Sequence, residues 1–142
     1  MAKTIRDVMT QGAECIREDQ TVIDAAKRLA QLDVGALPIC SSDDRVKGML
    51  TDRDIVVKVI AQGKDPSSVR ASELEQGGGQ TATISPDDSV DDALKAMKEN
   101  AVRRLPVTEN DHLVGIVSQA DLAKEISEKK VGDLVEAISA AP

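Results

Sequence analysis

Apolar and polar positions along this chain follow one pattern, and the pattern comes twice. A short extended segment opens each unit, around Ala13 to Ile16 and again around Thr81 to Ile84. A helix follows. Thr21 with Asp24, and Ser89 with Asp92, have the spacing of a capping box, where a hydroxyl and a carboxyl each bond the other's backbone amide. Behind the second box, Val90, Ala93, Leu94 and Met97 recur at helical spacing, so one face of that helix is buried. Next comes an apolar strand with proline inside it, Leu37-Pro-Ile-Cys and Leu105-Pro-Val-Thr. Proline cannot donate to a ladder, so this strand is expected to be short or at a sheet edge. Polar turns, Ser41 to Asp44 and Glu109 to Asp111, lead into the apolar runs Arg45 to Leu50 and His112 to Val117, which predicts hairpins. A second helix then begins near Thr51 and near Ser118. The order is β-α-β-β-α, twice.

Residue identities repeat as well. Thr21-Val-Ile-Asp-Ala-Ala matches Ser89-Val-Asp-Asp-Ala-Leu, and Val34-Gly-Ala-Leu-Pro-Ile matches Val102-Arg-Arg-Leu-Pro-Val, both at an offset of 68. Gly48-Met-Leu-Thr-Asp-Arg-Asp-Ile matches Gly115-Ile-Val-Ser-Gln-Ala-Asp-Leu at 67. Matched blocks in one order at nearly one offset mark an internal repeat. A fainter match joins Ile5-Arg-Asp-Val to Ala71-Ser-Glu-Leu, with an echo at Val131-Gly-Asp-Leu. The organisation read from this is a first repeat over 1–62, a connector over 63–80 with Pro66 and Gly77-Gly-Gly, a second repeat with its lead over 71–130, and a tail over 131–142. A unit of about 60 residues buries little of its surface alone, so the repeats are expected to stack sheet against sheet and share a core. The junction would then form a cleft, the usual place for a ligand.

Composition narrows the function. The chain of 142 residues carries 18 basic and 25 acidic groups, a formal charge of −7, and has no Phe, Tyr or Trp. The acid excess opposes a polyanion, and the stacking platforms of single-strand binders are missing, so nucleic acid is not an expected partner. No apolar run approaches the about 18 residues that span a membrane, and the start lacks a secretory apolar stretch; the expected place is the cytoplasm. Cys15, Cys40 and His112 are too few for a zinc site of the usual spacing. His112 reads as a solvated turn residue. No nucleophile–base pair and no metal cluster is evident, so an enzyme is not expected.

The candidate chemistry lies in Gly48-Met-Leu-Thr51-Asp-Arg-Asp54 and Gly115-Ile-Val-Ser118-Gln-Ala-Asp121. Glycine lets a ligand approach the strand end, a hydroxyl at a helix start suits phosphate, and Asp54 or Asp121 could accept bonds from vicinal hydroxyls. The same residues have the spacing of ordinary capping boxes, and the sequence leaves both readings open. Arg103 and Arg104 could hold phosphate oxygens or simply be solvated; the matched positions in the first copy are Gly35 and Ala36, so the halves differ, and Arg53 is the cation left to the first.

With the duplication, the Leu-Pro strands and the Asp-Val-Met lead at Asp7 to Met9, these motifs resemble the CBS domain, named for cystathionine β-synthase, in its paired form, the Bateman module. The likeness spans nearly the whole chain and is strongest to small stand-alone pairs without a catalytic domain. It implies an α+β fold, a tandem pair of β-α-β-β-α repeats packed sheet to sheet with pseudo-two-fold symmetry. It implies a regulatory module that binds AMP, ADP or ATP, or else NAD or S-adenosylmethionine, in the cleft between repeats. By analogy Asp54 and Asp121 hold the ribose, Thr51 and Ser118 contact ribose or phosphate, and Arg103 and Arg104 (Arg53 in the first copy) face phosphate. The segments Val34, Gly35, Ala36, Leu37, Pro38 and Val102, Leu105, Pro106 flank the base, with the backbone at Cys15, Ile16, Thr83 and Ile84 reading its edge. The alternative is a module whose clefts are empty, used for protein interaction and dimerisation. Such pairs form homodimers and act on a regulated protein that the sequence does not identify. In this fold Cys15 and Cys40 stand on neighbouring strands, so either a disulfide or two buried thiols is open.

Overall fold

The capping boxes form as the spacing predicts. In the computed structural model, which describes residues 3–75, 82–125 and 135–138, the Thr21 hydroxyl accepts from the Asp24 N–H and Asp24 accepts from the Thr21 N–H, at 3.2 and 3.3 Å. Ser89 and Asp92 do the same at 3.1 Å each. These bonds satisfy amides that a first helical turn leaves unpaired. They start α2 (Val22–Leu32) and α4 (Val90–Asn100), which end at Asp33 and Ala101 in the left-handed conformation. The remaining elements are α1 (Ile5–Val8), β1 (Thr10–Gln11), β2 (Ile16–Arg17), β3 (Ala36–Cys40), β4 (Val46–Thr51), α3 (Asp52–Asp54, continuing through wider π-type turns to Ile60), β5 (Arg104–Glu109), β6 (His112–Ser118) and α5 (Gln119–Ala123).

The strands make two three-stranded sheets, ordered β2-β3-β4 and β1-β6-β5. Both predicted hairpins are present, β3 with β4 and β5 with β6. The second turns tightly on Asn110 and Asp111, both at positive φ, as a two-residue hairpin requires. His112 is exposed, as expected, and opens β6. Of the two proline strands, β5 ends its three-stranded sheet, as expected, whereas β3 is the central strand of its own. The reason is visible in the matching strand β5. There the Pro106 carbonyl accepts from Ile84 N–H and Thr108 N–H donates to the Ile84 carbonyl. The proline nitrogen therefore faces the side where the opening segment has not yet begun to pair, and the missing donor leaves nothing unsatisfied.

The compact units do not divide where the sequence repeats do. Considering their described residues, one unit is Glu14–Thr81 and the other is Met1–Ala13 with Ala82–Pro142. The two lead segments are exchanged by equivalent bonds. Ile5 and Arg6 donate to the Asp88 and Pro86 carbonyls, while Ala71 and Ser72 donate to those of Gln20 and Glu18. Ile5 is buried in one core, and Val69, Ala71 and Leu74 in the other. Up to Glu75, the expected connector is thus part of the first unit, tied to α2 by Val22 and Ile23 amides on the Val69 and Pro66 carbonyls. Gly77-Gly-Gly and the Val131-Gly-Asp-Leu echo lie outside the described residues. Each unit has its own aliphatic core. In the second, Ala93, Leu94 and Met97 face inward from α4 as the helical period predicts, with Val90 packed against them.

Gly115 records how closely the N-terminal segment sits on β6. A Cβ there would stand 2.8 Å from the Met9 sulfur and 2.8 Å from the Thr10 carbonyl oxygen. Gly115→Ala is therefore expected to cost about 1–3 kcal/mol through overpacking, read as a lower urea midpoint. Gly48→Ala should cost less, because its nearest neighbour is the Glu75 side chain at 3.3 Å. A Gly115→Ala protein as stable as the wild type would show that β1 does not pack there.

Candidate functional site

Each hairpin ends by turning directly into a helix, and the two turns are built alike. At the end of β4 the Thr51 hydroxyl accepts from Asp54 N–H and Asp54 Oδ2 accepts from Thr51 N–H, both at 3.0 Å. At the end of β6, Ser118 and Asp121 make the same pair at 3.1 and 2.9 Å. The capping reading of these motifs is thus realised in both copies. It uses one carboxylate oxygen of each aspartate and leaves the other for further contacts.

That second oxygen distinguishes the copies. Asp54 is 7% exposed, and its Oδ1 stands 3.4 Å from Lys58 Nζ, one helical turn on. Asp121 is half-buried, and among the described residues its Oδ1 has no partner. The position matching Lys58 is Glu125, which pairs instead with Lys3 at 3.0 Å. Lys58 was missed by sequence reading, although its i,i+4 spacing from Asp54 was the available signal.

The segments before β3 and β5 stand beside these turns. The Gly35 carbonyl accepts from Asp52 N–H at 3.0 Å and Ala36 lies opposite Thr51. In the second unit the Arg103 carbonyl accepts from Gln119 N–H at 2.8 Å and Arg104 lies opposite Ser118. Arg103 is exposed and Arg104 half-buried. Among the described residues, Arg53, Arg103 and Arg104 have no side-chain partner. Every other arginine of the chain is tied down: Arg6, Arg17, Arg28 and Arg45 by carboxylates, and Arg70 by the Asp19 carbonyl.

Other predicted residues fall differently. Leu37 and Leu105 are 3% and 0% exposed and belong to the two cores. Pro38 and Pro106 are likewise buried, whereas Val34 is 40% exposed and Val102 half-buried. Ile84 has both backbone groups bonded to β5, and Ile16 is fully buried in β2. Thr83 is exposed and Cys15 half-buried. Both cysteines are free thiols, and they hydrogen-bond to each other. That bond, helped by the Arg17 charge and opposed by burial, lowers the Cys15 thiol to about 7, while the same bond and burial push Cys40 up.

Comparison with known proteins places this architecture. The CBS-domain family model matches residues 5–61 and 80–128. The chain belongs to the CBS-domain family and carries the domain twice. It is 43% identical over 135 residues to hypoxic response protein 1 of Mycobacterium tuberculosis, covering 95% of this chain and 93% of that protein. It is 36% identical over 141 residues to the CBS domain-containing protein YhcV of Bacillus subtilis, covering 96% and 95%. The crystal structure of hypoxic response protein I, which holds two coordinated zinc ions, superposes with a TM-score of 0.80 over 88% of this chain and 100% of that one. A more distant fold relative, CBSX2 in complex with AMP, is 20% identical with a TM-score of 0.72, over 87% and 95%. No helix among the described residues is long and apolar enough to cross a membrane.

A second carboxyl pair, not foreseen from sequence, sets a pH dependence. Glu75 lies against Gly48, its Oε1 is buried without a hydrogen-bond partner, and burial together with a bond to Glu18 raises its carboxyl to about 7. The folded chain therefore keeps a proton that the unfolded chain releases at the ordinary carboxylate value near 4.5. Stability contributed by this group is present below about 4.5 and is lost as pH rises through about 7. Urea unfolding across this window should show stability falling with pH in the wild type and a flatter profile in Glu75→Gln. Parallel profiles would contradict the shared proton.

Proposed function

We propose that this protein is a regulatory module without chemistry of its own that binds an adenine nucleotide, AMP, ADP or ATP, at the turn where β6 enters α5. The observation that carries the reading is the free charge at that turn. Among the described residues Arg103 and Arg104 are without side-chain partners in a chain of formal charge −7, and Asp121, whose Oδ1 is free among those residues, caps the helix that follows Ser118, the residue opposite Arg104. A carboxylate oxygen suits two ribose hydroxyls, and arginine suits phosphate in bidentate fashion. Val102, half-buried just before β5, supplies aliphatic surface for a base. The AMP in CBSX2 supports the ligand class. At the first turn, Lys58 already occupies the matching oxygen and Gly35 and Ala36 replace the arginines, so the second turn is the stronger site. Hypoxic response protein I holds two zinc ions, whereas no three His, Cys, Asp or Glu side chains gather among the described residues of this chain.

One observation favours the second reading, an interaction and dimerisation module. Val56, Val57 and Ile60 are 58%, 43% and 53% exposed along the π-type extension of α3. Light scattering that gives a tight dimer, together with the absence of any nucleotide effect, would support it.

The first reading is tested by melting the protein with AMP, ADP, ATP, NAD and S-adenosylmethionine, followed by dye or calorimetry because the chain has no tryptophan. At a hundredfold excess over Kd, a bound nucleotide stabilises the fold by about 2.7 kcal/mol. Asp121→Asn keeps an acceptor for the cap and should weaken binding by about 1–3 kcal/mol, whereas Asp54→Asn should change it little. Melting unmoved by all five ligands at millimolar concentration overturns the reading.

A further inference from the structure

Glu75 takes no part in the nucleotide reading, yet it stands where the lead segment ends. The short helical turn before it, Ala71–Leu74, is firmly held: the Ala71 and Ser72 amides donate to the Gln20 and Glu18 carbonyls at 2.8 and 3.1 Å, and Leu74 is buried in the core. The Glu75 amide has only a long bond, to the Ser72 carbonyl at 3.4 Å. Its side chain is folded over Gly48 of β4, so closely that a Cβ at Gly48 would stand 3.3 Å from the Glu75 Cγ and 3.4 Å from its Cα. In that crevice Oε1 is buried and has no hydrogen-bond partner. Two residues further along the sequence, Gly77-Gly-Gly begins.

A carboxylate oxygen buried without a donor is strongly disfavoured, whereas a neutral carboxyl bears the same burial at far less cost. We infer that Glu75 is a proton-operated clasp: neutral, it keeps the end of the lead segment folded over Gly48; ionised, it leaves the crevice, and the chain departs from the first unit at Leu74. Burial and the bond to Glu18 raise the Glu75 carboxyl to about 7, so the clasp is closed in mild acid and opens as pH rises through neutrality. The ionisable groups facing Glu75 from the neighbouring elements are Glu18, in the turn between β2 and α2, and Lys47, beside Gly48 in β4. Glu18 opposes ionisation and Lys47 favours it. On the same turn as Glu75, Glu73 is exposed and accepts from the Arg70 amide at 2.7 Å. Above neutral pH, opening adds Glu75 to the stretch of chain that joins the first unit to the second, so proton concentration sets the length of that connection.

The test is a nuclear magnetic resonance titration of the full chain across neutral pH, without nucleotide. The Glu75 carboxyl carbon should titrate with a midpoint near 7. The Glu75 amide should lose order at the same midpoint, read from fast backbone relaxation, while the Ser72 amide keeps its order. Glu75→Gln is neutral at every pH and should keep the amide at position 75 ordered throughout. Gly48→Ala sets a Cβ against the Glu75 Cα and should push the residue out, moving the carboxyl midpoint toward the ordinary 4.5. A wild-type midpoint below about 5.5, a Glu75 amide whose order ignores pH, or a Glu75→Gln chain that loosens along the wild-type curve would overturn the inference. The wild-type titration decides even if a variant does not fold. Nucleotide is absent throughout, so failure here leaves the nucleotide reading standing.

Discussion

A carboxylate folded back onto a strand end is the constraint on which this structure depends. The same reciprocal bond, hydroxyl to amide and amide to carboxyl, opens α2, α3, α4 and α5. At α2 and α4 it only starts a helix. At α3 and α5 the helix begins in the residue after the strand, so the bond also fixes a charged side chain at a strand end. A cap occupies one oxygen of that side chain and immobilises the other. Preorganisation of this kind lowers the ordering cost that a ligand would otherwise face. Whether the free oxygen then serves a ligand depends on one neighbour, a lysine in the first unit and a glutamate in the second.

The exchange of lead segments is the second constraint. A unit of about 60 residues has a small core for its surface. Each unit gains buried aliphatic side chains from a segment that lies far away in sequence: Ile5 in one, and Ala71 with Leu74 in the other. The fit is close enough that β6 carries glycine under β1. Without aromatic residues, the cores are built from many small contacts, and a short inserted segment is a meaningful fraction of each.

Much of this was legible in the residues. Capping boxes, hairpins and the buried face of α4 follow from local spacing, and the offset of 68 exposes the duplication. What escaped depends on distance. The lead repeat at Ile5 and Ala71 was visible, but nothing local says that each lead joins the other copy's helix. Proline predicted a short or edge strand, which fits β5 but not the central β3, because the rule counts a missing donor without knowing where the partner strand starts. Leu37 and Leu105 were placed by analogy beside a ligand, while their burial is a property of the sheet they sit in. Lys58 needed only the helical period. Glu75 with Glu18 needed the fold, since 57 positions separate them.

The central claim is that the partner of the second aspartate oxygen decides which turn receives a ligand. Equilibrium dialysis of the wild-type chain against labelled AMP tests it most directly. The account predicts saturation at one AMP per chain in the range of the tighter affinity. Two sites of equal affinity per chain, or a single site lost in Asp54→Asn and kept in Asp121→Asn, would contradict it.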